Sequence, residues 1–332
     1  MQKLLTHLKY NPIKALLAFD NSAINYFVKR DLESQQVPPV DTIWTLPEVI
    51  KILRKQQQDG SWKYPRKMGD MQRPYNMLET FRQIGILIEM YGLNSNNEAI
   101  ENAAKFLFSF QTEEGDFRGI YGNQYSPNYS ATIVEHLIKA GYENDKHIIK
   151  CLEWLLTMRQ DEGGWVIPVR TRLKTLSEMY NLRETLQPDR TRPFSHFATD
   201  IILRAFASHP DYSNRQEIWH AGELLKSEFF MPDKYPDHKS ASSWVSFQFP
   251  FWWSHLLSSL NSLAEIGFKE TDTNIHEGLD WFIKNQDKYG LWPTGYGSDK
   301  TNPNRKGIKF WVGLTICKML KKYYGNLILQ PI

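Results

Sequence analysis

A short turn sequence occurs four times along the chain, and it constrains the fold more than any other feature. Each copy has a glutamine, two or three polar residues, a glycine, one further residue and then an aromatic side chain. Neighbouring copies are about 50 residues apart, and the last interval is about twice that, which is typical of a repeat architecture. The aligned glutamine and aromatic residues are Gln57 and Trp62, Gln111 and Phe117, Gln160 and Trp165, and Gln286 and Trp292.

A second pattern alternates with these turns and predicts a helix after each one. A proline stands ahead of an apolar-periodic run at 73–87, 126–142, 192–206 and 249–268, and 305–325 is a fifth such run without the proline. Proline at or before the first turn is a helix-start signal, because its missing N–H is not needed there. Alternating strand patterns are scarce. The sequence therefore predicts an all-α protein in which two helices alternate in each of about five units.

The turns resemble those of the prenyltransferase and squalene-cyclase repeat superfamily, whose members carry a Gln-Gly-Trp turn between outer and inner helices. Trp62, Trp165 and Trp292 match the ending of that motif, and Phe117 replaces the tryptophan in the second copy. The resemblance implies an α/α toroid of about five to six helical hairpins. It also implies a terpenoid cyclase-like or prenyltransferase-like enzyme with an isoprenoid-like substrate in an aromatic-lined central cavity. The turn residues of this superfamily hold helices together, so we expect catalysis elsewhere.

The expected domain organisation is an N-terminal helical segment at 1–33, a linker at 34–45, the toroid at 46–325 and a tail at 326–332. The apolar runs of the first segment are too short to span a bilayer. Packing on the body and peripheral contact with a membrane both stay open for it.

The composition limits the kinds of binding partner and the cellular compartment that we expect for this protein. The net charge of +3 is too small to indicate nucleic-acid binding. Two cysteines, Cys151 and Cys317, cannot form a disulfide framework, so we expect a reducing, cytoplasmic environment. The expected partner is a small apolar or isoprenoid-like molecule, and the sequence does not indicate an oligomeric state.

Polar residues in the early turns of the inner helices are the catalytic candidates. Asp200 is the predicted acid, and His196, four residues earlier on the same helix face, is its predicted hydrogen-bond partner. Glu79 is the carboxylate that we would pair with Asp200 if the reaction were an inverting glycoside hydrolysis.

Arginine and aromatic side chains are the substrate-binding candidates. Arg190 and Arg192 precede an inner helix and suit an anionic headgroup. Aromatic faces stabilise carbocations and also stack on sugar rings, so they serve either kind of substrate. The further predicted binding residues are Tyr129, Trp252, Trp253, His255 and Trp311.

Two catalytic motifs of the resembled superfamily are missing. The Asp-x-Asp-Asp acid motif does not occur, and neither cysteine has an aspartate two residues before it, as the zinc-binding Asp-x-Cys pair requires. We therefore predict no metal, no cofactor and non-standard catalytic residues. A polysaccharide lyase or glycoside hydrolase of the toroid type, and a catalytically silent ligand-binding toroid, stay open as alternatives.

Overall fold

The computed structural model describes residues 7–172, 178, 182–295 and 307–325, so the expected tail at 326–332 lies outside the described residues. Within these ranges the protein is all-helical, with isolated β-bridges but no strand, which confirms the predicted fold class. The α-helices are α1 Pro12–Ala18, α2 Ser22–Phe27, α3 Pro47–Leu53, α4 Gln72–Tyr91, α5 Glu98–Phe108, α6 Pro127–Leu137, α7 Lys146–Thr157, α8 Pro168–Arg172, α9 His196–Ala207, α10 Gln216–Ser227, α11 Leu256–Ile266, α12 Thr273–Lys284 and α13 Ile308–Tyr324.

The helices form two concentric layers. The inner layer is α4, α6, α9, α11 and α13, and each of these contacts the next. The outer helices α3, α5, α7, α10 and α12 each precede an inner helix in the chain, and they contact the inner layer from outside. The amphipathic outer helices bury one face, whereas α9 buries nearly every residue, as a helix enclosed on all sides must.

The N-terminal hairpin closes the ring. Helix α2 contacts both α13 and α4, and α1 packs against α13. Lys318 and Lys321 of α13 bind Asp31, through its carboxylate at 2.9 Å and its main-chain oxygen at 2.6 Å. Residues 12–32 are therefore part of the toroid, as its sixth hairpin.

In three of the four turns a glutamine ties the turn to the next outer helix, and in the first turn that glutamine is Gln56. Its Nε2 donates to the oxygens of Gly60 at 2.9 Å and of Ala99 at 2.8 Å, at the start of α5. Gln111 makes the equivalent pair of bonds to Gly115 and to the next outer helix. The alignment of Gln57 with Gln111 is therefore one residue out of register, because the glycine stands four residues after the bridging glutamine.

The same shift occurs in the third turn. The side chain at the bridging position is Arg159, whose Nε donates to the Gly163 oxygen at 2.9 Å. Gln160 instead donates to the oxygens of Asp189 and Arg192, both at 2.8 Å. The placement of Gln160 at the bridging position is thus also wrong by one residue, although its side chain still holds a neighbouring loop.

In the fourth turn the bridge reaches the N-terminal hairpin. Gln286 donates to the oxygens of Gly290 at 2.9 Å and of Tyr10 at 2.8 Å, just before α1. In this turn α1 therefore takes the position of the next outer helix, which agrees with ring closure by the N-terminal hairpin.

The aromatic residues that end the turns link them to the helix layers, and Trp165 links to both layers. Trp165 donates through its indole N–H to Leu155 of α7 at 2.7 Å, and its main-chain N–H donates to the Thr199 hydroxyl of α9 at 2.9 Å. The main-chain N–H groups of Trp62 and Phe117 bind Thr80 and Ser130 in the same way. These bonds explain several of the polar residues in the early turns of the inner helices.

Candidate functional site

An aromatic segment, residues 247–253, occupies the axis of the inner ring. Its residues lack regular secondary structure, and its side chains reach several inner helices. Trp252 packs against Phe81 of α4 and His136 of α6, with ring centroids 6.2 Å apart in both pairs. Phe249 stacks on Trp311 of α13 at 6.0 Å. The segment therefore fills the centre of the toroid with aromatic rings.

Little space remains beside this segment. A cavity of about 30 Å³ lies next to it, roughly the volume of one liquid water molecule. Its walls include Tyr129, Trp252 and Trp253, so these predicted binding residues do meet. Trp253 is 38% exposed and marks the open end of the axis.

Asp200 lies on α9 and is fully buried. Its Oδ2 accepts a hydrogen bond from Ser258 of α11 at 2.6 Å, whereas its Oδ1 accepts none from the described residues. Burial raises the pKa of this carboxyl, and the opposing effects of Arg204 and of nearby serine hydroxyls are smaller. The Ser254 hydroxyl lies close enough to Asp200 to lower its pKa slightly, although the two groups do not meet hydrogen-bond geometry. Burial thus favours the protonated acid.

His255 is linked to Asp200 through Ser258. Its Nδ1 accepts from the Ser258 main-chain N–H at 3.1 Å and caps α11. Burial, with a smaller effect of Arg204, lowers the pKa of His255 to about 3, so its ring is neutral at pH 7. The predicted binding residue is therefore a buried helix cap in this structure.

His196 pairs with a different aspartate from the predicted one. Its Nδ1 lies 3.5 Å from Asp233 Oδ2, and this carboxylate also accepts from Ser195 and from the main chain at Phe197. Burial lowers the pKa of His196 to about 4. The predicted hydrogen-bond partnership of His196 with Asp200 is thus wrong, because Asp200 bonds to Ser258 and the imidazole of His196 lies beside Asp233 instead.

The remaining candidates do not gather at Asp200. Glu79 is half-buried and accepts from Gln83 of its own helix at 2.6 Å. Arg190 is exposed and donates to the Thr157 oxygen at the end of outer helix α7. Arg192 is also exposed, and its main-chain oxygen accepts from the third turn. The arginines therefore hold or flank a turn between the layers.

A buried ion-pair cluster near the axis was missed by sequence reasoning. Arg204 of α9 donates from Nε to Glu135 of α6 at 2.9 Å, and both side chains are 2% exposed. Lys139 bridges Glu135 at 2.7 Å and Glu89 of α4 at 2.5 Å. Despite burial, Arg204 and then Lys139 lower the pKa of Glu135, which keeps it ionised. The sequence did contain one signal for this cluster, a charged residue inside an apolar run, such as Arg204 in the sequence IILRAF.

His136 separates this cluster from the aromatic segment. Its ring is buried, and neither ring nitrogen has a hydrogen-bond partner among the described residues. Burial lowers its pKa to about 4, against smaller opposing effects of Glu135 and Glu89. A neutral imidazole whose nitrogens have no hydrogen-bond partner among the described residues thus packs against Trp252.

Two features are absent from the described residues. No three side chains of His, Cys, Asp or Glu converge there into a metal-binding group. None of the helices in those ranges combines the length and the apolar character needed to cross a bilayer.

No protein-family model and no curated protein sequence matches the chain. Among solved structures, an α-amylase from Clostridium perfringens is 15% identical, with 83% of this chain and 79% of that chain covered and a TM-score of 0.43. A variant of the type II terpene cyclase MstE from Scytonema, in complex with geranylgeranyl dihydroxybenzoate, is 11% identical over 82% of this chain and 94% of that chain, with a TM-score of 0.39. These likenesses are too distant to assign a substrate or a reaction.

Proposed function

We propose that this protein is a terpenoid cyclase-like toroid enzyme in which Asp200 protonates an isoprenoid-like substrate. The observation that carries the proposal is the buried carboxyl of Asp200, with its raised pKa and an Oδ1 that has no partner among the described residues. Protonation of an alkene needs a carboxylic acid that still holds its proton, and burial shifts Asp200 toward that state. The chemistry would not depend on an Asp-x-Asp-Asp motif.

The aromatic surroundings support the same proposal. Transfer of the Asp200 proton breaks an O–H bond, forms a C–H bond and leaves a carbocation on the substrate. Phe81 of α4 and Trp311 of α13, which lie on inner helices and not on the aromatic segment, present ring faces that stabilise such a cation. Loss of a proton to a base ends the reaction, and the neutral ring of His136 is a suitable acceptor. A proton returned to Asp200 completes the cycle.

Substrate entry requires the aromatic segment to leave the axis, because the cavity of about 30 Å³ is far smaller than any isoprenoid. The segment is a loop without helix or strand, which suits a lid. In the proposed mechanism its displacement uncovers Asp200 and makes room for the substrate.

The test compares wild type with Asp200→Asn and Glu79→Gln on squalene and on prenyl diphosphates, with products identified by mass spectrometry. Asp200→Asn removes the proton but keeps the shape, so turnover is expected to fall by at least about 100-fold. Glu79→Gln changes a carboxylate on α4, which α6 separates from α9, and it is expected to keep turnover. Absence of both turnover and thermal stabilisation by every isoprenoid would overturn the proposal. Stabilisation without turnover would indicate a silent binding toroid.

A second candidate is a glycan-cleaving enzyme of the toroid type. It is favoured by one observation, the exposed face of Trp253 beside Tyr129 at the open end of the axis. Such an enzyme would need the carboxylates of both Asp200 and Glu79. Cleavage of a polysaccharide that is lost in both Asp200→Asn and Glu79→Gln would replace the first function by this one.

A further inference from the structure

A second, larger pocket lies where the C-terminal turns of three inner helices meet. Its volume is about 240 Å³, enough for about eight water-sized groups. The side chain of Glu265 at its rim is 48% exposed, so the pocket is accessible from solvent. The lining residues are Glu135 and Lys139 of α6 and its continuation, Arg204, Ala207 and Ser208 at the end of α9, and Asn261, Ser262 and Glu265 of α11.

Most charges at this pocket already have a partner within the chain. Glu135 pairs with Arg204 and Lys139, and Glu265 pairs with Lys322 of α13. The exception is Arg204 Nη2, which has no hydrogen-bond partner among the described residues although the side chain is 2% exposed. A buried guanidinium donor without an acceptor is costly. This nitrogen is itself shielded from solvent, so the Arg204 side chain has to turn toward the pocket before an acceptor supplied by a ligand can remove that cost.

We propose that this pocket binds a small molecule that carries a carboxylate, with one carboxylate oxygen accepting from Arg204 Nη2. A guanidinium forms its strongest hydrogen bonds with a carboxylate or a phosphate, since both partners are ionised. A carboxylate is the smaller of the two and carries a single charge, which suits a pocket that already contains Glu135 and Glu265. The Ser262 and Asn261 side chains supply polar walls for the rest of the molecule.

This pocket is distinct from the aromatic end of the axis. Arg204 touches both, since its Nη1 donates to the Trp253 main-chain oxygen at 3.4 Å. Binding of a carboxylate requires no isoprenoid turnover, so it can be tested whether or not the protein is a cyclase.

Three probes of one chain length test the proposal by calorimetry: butyrate, butyramide and butylamine. Butyrate is expected to bind, butyramide at least tenfold more weakly, and butylamine not at all. Arg204→Lys keeps the charge but removes Nη2, so it is expected to weaken butyrate binding at least tenfold.

Because Arg204→Lys disturbs a buried ion pair, a second variant blocks the pocket sterically. Ala207→Leu fills the space beside the guanidinium without removing a charge, and it is expected to abolish butyrate binding. Ala264→Leu is the matched control, since Ala264 lies on α11 but does not line the pocket. Failure of butyrate to bind wild type, equal binding of butyramide, or unchanged binding in folded Ala207→Leu would overturn the proposal.

Discussion

The turns between the layers and the axis of the ring treat buried polar groups in opposite ways. In the turns, the side chains of Gln56 and Trp165 donate hydrogen bonds to main-chain oxygens of the turn or of neighbouring helices. Among the described residues, Asp200, Arg204 and His136 at the axis keep buried polar atoms without a partner, whereas the turns keep a single such atom, Gln160 Oε1. An unpaired buried group costs free energy, so proteins retain few of them. We infer that the turns are built for stability and the axis for a ligand.

The largest loss of stability is expected when a side chain is added at Gly60, in the first turn. Its φ is +84°, and a Cβ there would lie 2.2 Å from the Asn102 main-chain oxygen of α5. Gly60→Ala therefore adds a backbone clash to an unfavourable φ, and we expect a loss of more than about 3 kcal/mol in the free energy of unfolding. Chemical denaturation measures it.

Gly122→Ala is the control for that experiment. Gly122 has φ of +62° but no atom within 4 Å of an added Cβ, so only the conformational cost of about 1 kcal/mol applies. Equal losses in the two variants would show that the close contact between the turn and α5 contributes nothing.

The turns and layers were predictable from sequence because their interactions recur locally. Each glycine stands four residues after its bridging side chain, and each aromatic residue two after the glycine, so four copies display the pattern. The register of the glutamine was less secure, because the run of three glutamines before Asp59 offers three choices. Only the hydrogen bonds to Gly60 and Ala99 decide for Gln56.

The axis was not predictable in the same way. Arg204 and Glu135 are 69 residues apart, and Ser258 and Asp200 are 58 apart, so nothing local in the sequence pairs them. Asp200 was found as a polar residue on an inner helix, but its partner was misassigned to His196. Spacing of four on one helix is a necessary condition for a contact, and tertiary packing turned the imidazole to Asp233 instead.

A smaller effect is expected from the hydroxyls that join a turn to its inner helix. The Thr80 hydroxyl accepts from the buried Trp62 N–H at 2.9 Å. Thr80→Val keeps the shape but leaves that N–H unpaired, so we expect a loss of about 2 kcal/mol in stability. Thr132→Val is the control, because the only bond of the Thr132 hydroxyl among the described residues goes to the Asn128 oxygen of its own helix. A loss for Thr132→Val as large as for Thr80→Val would contradict the role assigned to the turn hydroxyls.

The smallest expected effect has the opposite sign and sharpens the comparison at the axis. The folded-state pKa of Asp200 is raised by burial, so the stabilisation from its protonated form is complete below about pH 4, near the unfolded pKa. That stabilisation is lost as the pH rises through the folded pKa. At pH 7, Asp200→Asn is therefore expected to gain about 0.5–1 kcal/mol, a usual size for one stabilising change.

Thermal unfolding between pH 4 and pH 7 measures that gain, which must shrink as the pH falls. Asp272→Asn provides the contrast, because burial raises the pKa of Asp272 but the bonds from Lys226 and from the main chain of Ile275 and Asn274 together lower it by more. The stabilisation from that carboxylate is present above its unfolded pKa and is lost as the pH falls through the folded pKa, so Asp272→Asn is expected to lose stability at pH 7. A loss at pH 7 for Asp200→Asn as well would mean that the axis stabilises its carboxylate, and Asp200 would then be a structural residue like those of the turns.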